Sequence, residues 1–191
     1  MAVAEADFGR TGRVRGTVRF YGREGGTVVR VALYGLEPEH TYAMHIHEKG
    51  FTGNDCMTAG AHYNPTHRQH PHHLGDMTKN IHSDRDGTVR SVFCVPKMAV
   101  DEIVGRTVVV HFLSDDLGSK GIIDPGTRSC TPYRTLEQPR LVRLCRERGY
   151  PTENLSRQRL VQKLETQSLL TGNAGGRMAC ALIRRKTATQ K

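Results

Sequence analysis

Thr41-Tyr42-Ala43-Met44-His45-Ile46-His47-Glu48 changes side-chain character at almost every step. In a strand, side chains repeat every two residues, so Tyr42, Met44 and Ile46 take one face and His45 and His47 share the other. Two imidazoles are thereby set side by side. The same alternation spreads outward from this stretch. Val14 to Phe20 and Thr27 to Leu36 read as strands, with Gly25-Gly26 as the hairpin turn between them. A turn at Asp86-Gly87 leads into Thr88 to Val95, Thr107 to Leu113 is a further apolar segment, and Met178 to Ile183 makes a late strand. Between Thr52 and Asn80 the chain is rich in Gly, His and Asn, a long loop of the kind that usually carries function. With 20 Gly, 8 Pro and no Trp in 191 residues, the expected class is all-β.

Composition narrows the possibilities further. No apolar run approaches the roughly eighteen residues needed to cross a bilayer, so no membrane span is expected. Residues 1–10 lack a basic start followed by an apolar stretch, and the cytoplasm is the default location. The net charge of +9 is unevenly placed: residues 122–169 hold nine basic and five acidic side chains, and the tail 184–191 holds four basic ones and no acid. Five cysteines, Cys56, Cys94, Cys130, Cys145 and Cys180, are odd in number and lack metal-finger spacing. Cys94, on an apolar strand, reads as a buried thiol. Within 122–169, Pro125, Gly126 and Pro132 break structure. Leu141, Leu144 and Cys145 then fall at helical spacing, Gly149 and Pro151 end that run, and a second helix from Ser156 presents Leu160, Val161 and Leu164. One domain over 1–191 is expected, interrupted by a helical insertion at 122–169.

Eight of the ten histidines lie between His45 and His82. Neutral imidazole is a preferred ligand for copper and zinc, and a pair at strand spacing can reach one ion. His111 ends the apolar run Val108-Val109-Val110, where an unpartnered ring would be costly to bury. His45, His47 and His62 therefore read as ligands, whereas His40, His67, His72 and His82 read as hydrogen-bonded or solvated rings.

Seven motifs then occur in order: Met44 to Glu48; Cys56; Ala59-Gly60-Ala61-His62-Tyr63-Asn64-Pro65; His73-Leu74-Gly75-Asp76; Gly105 to His111; Asp115-Asp116-Leu117-Gly118; and Thr171 to Cys180. In order and approximate spacing they resemble copper,zinc superoxide dismutase across nearly all of 1–121 and 170–183. The resemblance implies an eight-stranded Greek-key β-barrel. It implies copper held by His45, His47, His62 and His111, and zinc held by His62, His70, His73 and Asp76, with His62 shared between the two ions. One superoxide would reduce Cu(II) and leave as dioxygen. A second would oxidise Cu(I) and leave as hydrogen peroxide, with a proton carried by His62. Arg177 would hold the anion beside copper, and Asp115 would link a copper histidine to a zinc histidine. Asp116 would be ordinary surface charge. Cys56 and Cys180 match the family's disulfide.

Departures from the family pattern generate further expectations. Only Pro71 and His72 separate His70 from His73, so His72 is an alternative to His73 at zinc. The insertion occupies what is normally a short loop whose charges steer superoxide, and Leu170 stands where that loop usually has lysine. The insert's basic residues could replace this steering, or its helices could cover the entrance. Leu141 to Pro151 also weakly resembles SAP-type nucleic-acid modules, making nucleic acid a minor candidate partner. Lys49 and Arg184-Arg185 fall where the family packs its dimer, so a monomer, a weakened homodimer or a different contact is expected. A noncatalytic relative that binds copper or a copper chaperone is the alternative to an active enzyme.

Overall fold

The computed structural model describes residues 2–9, 13–77, 79–124 and 126–186. Alternating segments become strands: β1 (Val3–Asp7), β2 (Arg15–Arg23), β3 (Gly26–Tyr34), β4 (Thr41–Tyr42), β5 (Met44–His47), β6 (Ile81–His82), β7 (Val89–Pro96), β8 (Thr107–His111), β9 (Gly121–Ile123), β10 (Cys130–Pro132) and β11 (Arg177–Arg185). Three α-helices accompany them: α1 (Val100–Ile103), α2 (Gln138–Glu147) and α3 (Arg157–Thr171). Seven strands form one sheet in the order β5-β8-β11-β1-β2-β3-β7, and its pairings are antiparallel.

The two ends of that sheet are drawn together by β4 and β6. β4 runs into β5 at one end and β6 runs into β7 at the other, while β4 and β6 pair through Thr41↔His82 and Tyr42↔Ile81. With β4 and β5 counted as one interrupted strand, eight strands surround the core. The β3-to-β4 and β7-to-β8 connections pass over the ends instead of joining neighbours, as in a Greek key. The core is built from the inward side of each strand, including Phe20, Val31, Leu33, Met44, Ile46, Val108 and Val110.

Three elements differ from expectation. β1 is a strand that the sequence does not signal, because its inward side chains, Ala4 and Ala6, are small; Glu5 between them lies on the outer face, opposite Arg19 in the ladder, and accepts from it at 2.6 Å, with Lys186 also at 2.6 Å. The segment from Thr41 is not continuous but breaks at Ala43, where its pairing changes from β6 to β8. Cys94 is exposed, not buried. On β7 the inward positions are Val89, Ser91, Phe93 and Val95, and the unbroken apolar run Val92 to Val95 conceals that parity.

The helical segment has an apolar core of its own, formed by Tyr133, Leu136, Leu141, Leu144, Cys145, Leu160 and Leu164. Pro139 in the first turn of α2 suits a position whose N–H has no helical partner. Ser156 caps α3 by accepting from Arg159 N, and Gly172 closes that helix in the left-handed region. The small β9–β10 pair that leads into the helices was not expected. Among the described residues, no helix is long and apolar enough to cross a membrane. The tail beyond residue 186 lies outside the described residues.

Candidate metal centre

Strand register assembles the first cluster. β5 places His45 opposite Val109 and His47 opposite Thr107, and β8 ends at His111 beside them. His62 reaches the group because it bridges His47 through the backbone. One ligand atom from each of His45, His47, His62 and His111 lies within 4.8 Å of the others. All four rings are buried. His47 Nδ1 is 2.9 Å from Gly60 O and His111 Nδ1 is 3.3 Å from Gly175 O, so each ring can donate there while its Nε2 faces inward. Those two Nε2 atoms and His45 Nδ1 are buried with no hydrogen-bond partner. Buried polar atoms are rarely left so. A soft or borderline cation with nitrogen preference would satisfy them all.

The second cluster, His62, His70, His73 and Asp76, meets the same 4.8 Å limit. Asp76 Oδ1 is 2.7 Å from His62 Nδ1 and 3.1 Å from His73 Nδ1, and Asp76 Oδ2 is 3.0 Å from His70 Nδ1. That last approach lacks hydrogen-bond geometry, and His70 Nδ1 counts among the unpartnered buried atoms. Three ring nitrogens around one carboxylate form a donor set suited to four-coordinate zinc. His62 belongs to both sets: with Nδ1 turned to Asp76, its other nitrogen is left for the first cluster. His72 is exposed and belongs to neither.

Burial alone would raise the Asp76 pKa, but hydrogen bonds with His62 and His73 and the close approach of the His70 ring hold it well below the carboxylate range. Asp115 behaves likewise through His45 and His70. For His70, burial is outweighed by Asp115 and Asp76, and its pKa is pushed up to about 9. Burial and the neighbouring His45 lower His62 to about 4, and burial with nearby positive groups also drives His47 and His111 well down. His47, His62 and His111 are thus kept as neutral rings, the form that binds metal.

Asp115 connects the clusters. Its Oδ2 is 2.8 Å from His45 Nε2 and its Oδ1 is 2.8 Å from His70 Nε2, turning the other nitrogen of each ring toward its own cluster. Arg177 lies opposite His111 in the β8–β11 ladder. Its Nη1 donates to Cys56 O at 2.7 Å and its Nη2 to Gly60 O at 2.5 Å. Cys56 is disulfide-bonded to Cys180 on β11, with Cα atoms 5.7 Å apart. The bridge thereby holds the loop carbonyls that orient Arg177. His47, His62, His111 and Arg177 all open onto a cavity of about 560 Å³.

Asp116 corrects a sequence expectation: it is buried, not surface charge. Its Oδ1 accepts from Ser168 Oγ at 2.8 Å, and its Oδ2 accepts from Tyr133 Oη and Asn173 Nδ2, each at 2.8 Å. Tyr133 and Ser168 come from the inserted segment, so Asp115 faces the histidines while its neighbour anchors the insert. The doubled Asp115-Asp116 carboxylate was the signal available in the sequence.

The sequence matches the family model described as copper/zinc superoxide dismutase (SODC) over residues 14–131. An extracellular Cu-Zn superoxide dismutase of Brugia pahangi is 30% identical over 192 residues, covering 96% of this chain and 74% of that protein. A Cu-Zn superoxide dismutase of Paramecium bursaria Chlorella virus 1 is 29% identical over 181 residues, covering 90% and 73%. Among solved structures, the clock protein EA4 is similar with a TM-score of 0.61 and 27% identity, covering 96% of this chain and 91% of that one.

Proposed function

Because the chain belongs to the copper/zinc superoxide dismutase family, we propose that it is an active dismutase converting two superoxide ions and two protons to dioxygen and hydrogen peroxide. The observation that carries this reading is the pair of donor clusters sharing His62, with Arg177 at the mouth of the first. In this reading His45, His47, His62 and His111 hold copper, and His62, His70, His73 and Asp76 hold zinc. When bound, copper supplies the one-electron couple and zinc supplies a fixed charge.

The chain's own groups do the remaining work. Arg177 presents a permanent cation at the cavity, where a small anion is held and a neutral molecule is not. Its carbonyl partners at Cys56 and Gly60 keep the guanidinium in place while superoxide approaches. His62 carries a proton to the departing peroxide, and Asp76 keeps its ring oriented through Nδ1. Asp115 couples the two ligand sets by hydrogen bonds to His45 and His70. A noncatalytic copper binder would need none of the anion-holding geometry around Arg177.

The test is metal analysis together with superoxide dismutation by purified protein reconstituted with both ions. About one copper and one zinc per chain are expected, by the chemistry of the two donor sets. His45→Ala should abolish activity and Arg177→Ala should reduce it sharply. Metal-replete but inactive protein would favour the copper-binding reading instead.

A further inference from the structure

The cavity above the first histidine cluster has walls of two origins. His111, Gly175, Gly176 and Arg177 belong to the barrel, whereas Arg148, Tyr150, Gln167 and Leu170 come from the helical segment and its exit. Among the described residues that line it, Arg148 and Arg177 are the permanent cations. Leu170, at the position where a lysine would be expected from the family, is 53% exposed and offers no charge.

Arg148 differs from the insert's surface arginines. Its side chain is only 12% exposed, and its nearest carboxylate, on Glu147, is 3.6 Å away. Nη1 donates to Leu144 O at 3.0 Å, the carbonyl one turn back, while Nε is buried with no hydrogen-bond partner. A guanidinium has five donors in a fixed fork, and leaving buried ones unmatched is unfavourable. The side chain lines the cavity, so its positive charge, with Glu147 3.6 Å away, acts at short range on an anion entering there. Arg177, by contrast, already donates to the carbonyls of Cys56, Met57 and Gly60.

The position of Arg148 is also tied to the barrel. It follows α2 directly, and the next aromatic, Tyr150, donates its hydroxyl to Asn173 Oδ1 at 3.2 Å. Asn173 in turn donates to Asp116. Resting on the dismutase reading, we infer that Arg148 is a second anion-guiding residue of this cavity, supplied by the insert in place of a lysine at position 170. It raises the affinity of the cavity for small monoanions such as superoxide.

The experiment compares copper- and zinc-loaded wild-type protein with Arg148→Gln, Arg148→Lys and the double variant Arg148→Gln/Leu170→Lys. Azide, a small monoanion, is titrated against each and followed in the visible spectrum, and dismutation is measured as salt is raised. Arg148→Gln should weaken azide binding and low-salt kcat/KM by about three- to tenfold and flatten the salt dependence, the scale of one focusing charge. Arg148→Lys should retain most of the affinity, and lysine at 170 should restore what glutamine at 148 removes. Should Arg148→Gln lower the melting temperature, the two lysine variants carry the comparison. Equal azide affinity in wild type and Arg148→Gln overturns the inference, as does an Arg148→Lys variant as impaired as the glutamine one. Wild-type protein that binds azide through Arg148 yet does not dismutate superoxide overturns the dismutase reading instead.

Discussion

A methyl group at position 172 would lie 1.8 Å from Asp115 Oδ1 and 2.6 Å from His70 Nε2, inside both atoms. Gly172 also has φ +63°, a conformation other residues rarely adopt. It therefore does two things: it ends α3, and it leaves room for the hydrogen bond that turns His70 toward Asp76. Gly172→Ala should weaken zinc binding by about 10–100-fold, as the loss of a group orienting a metal ligand does. Competition against a chromophoric chelator measures this, and unchanged affinity would contradict it. Glu5, far from the metal centre, sets a pH dependence. Burial raises its pKa, but Lys186 and Arg19 outweigh burial and hold it below the ordinary 4.5. A carboxyl depressed in the folded state stabilises it above the unfolded pKa and loses that contribution as pH falls through the folded value. The metal-free protein should lose stability below about pH 4.5, and Glu5→Gln should make the urea midpoint less sensitive to pH across that range. Identical acid profiles for the two proteins would count against the Glu5 assignment.

Among the elements, one buried carboxylate, Asp116, gathers three donors where the insert meets the barrel. Asp116→Ala would leave the hydroxyl donors of Tyr133 and Ser168 without an acceptor, at a cost of about 1–3 kcal/mol each where they stay buried, while Asn173 Nδ2 keeps Leu164 O and Tyr133 Oη. Tyr133→Phe removes one donor and leaves the carboxylate two others, so it should destabilise by only about 0.5–1.5 kcal/mol. Urea unfolding should rank the two in that order; the reverse order would show that Asp116 does not organise this network. This anchor was hidden in the sequence for a physical reason. Its three partners lie 17, 52 and 57 positions away, and nothing local tells Asp115 from Asp116. The helices themselves were legible, because Leu141, Leu144, Cys145, Leu160 and Leu164 fall at helical spacing and are buried together. Cys94 was misread because four consecutive apolar residues on β7 carry no parity, and β1 was missed because its inward residues, Ala4 and Ala6, are too small to give a strong apolar signal.

For the molecule as a whole, the barrel was legible wherever strands alternate, and the histidine clusters were legible because their motifs keep order and spacing. What spacing could not convey was that the insert walls the cavity, since that depends on how α2 and α3 pack. Charge also bears on assembly. Lys49 is exposed with Glu48 at 3.7 Å, Arg184 has no acidic partner among the described residues, and Arg185 is paired with Asp101 at 2.6 Å. A two-fold contact through this face would bring Arg184 toward its symmetry copy and bury the exposed Lys49–Glu48 pair. Sedimentation at micromolar protein and low salt should give a monomer or a weak dimer; a tight dimer through this face would refute that expectation. The shared ring of His62 is the feature on which the dismutase chemistry rests. Anomalous diffraction at the copper and zinc edges from crystals loaded with both ions examines it directly. The expected result is copper among His45, His47, His62 and His111 and zinc among His62, His70, His73 and Asp76, with His62 bonded to both. Peaks elsewhere, or a His62 ring touching neither ion, would contradict it.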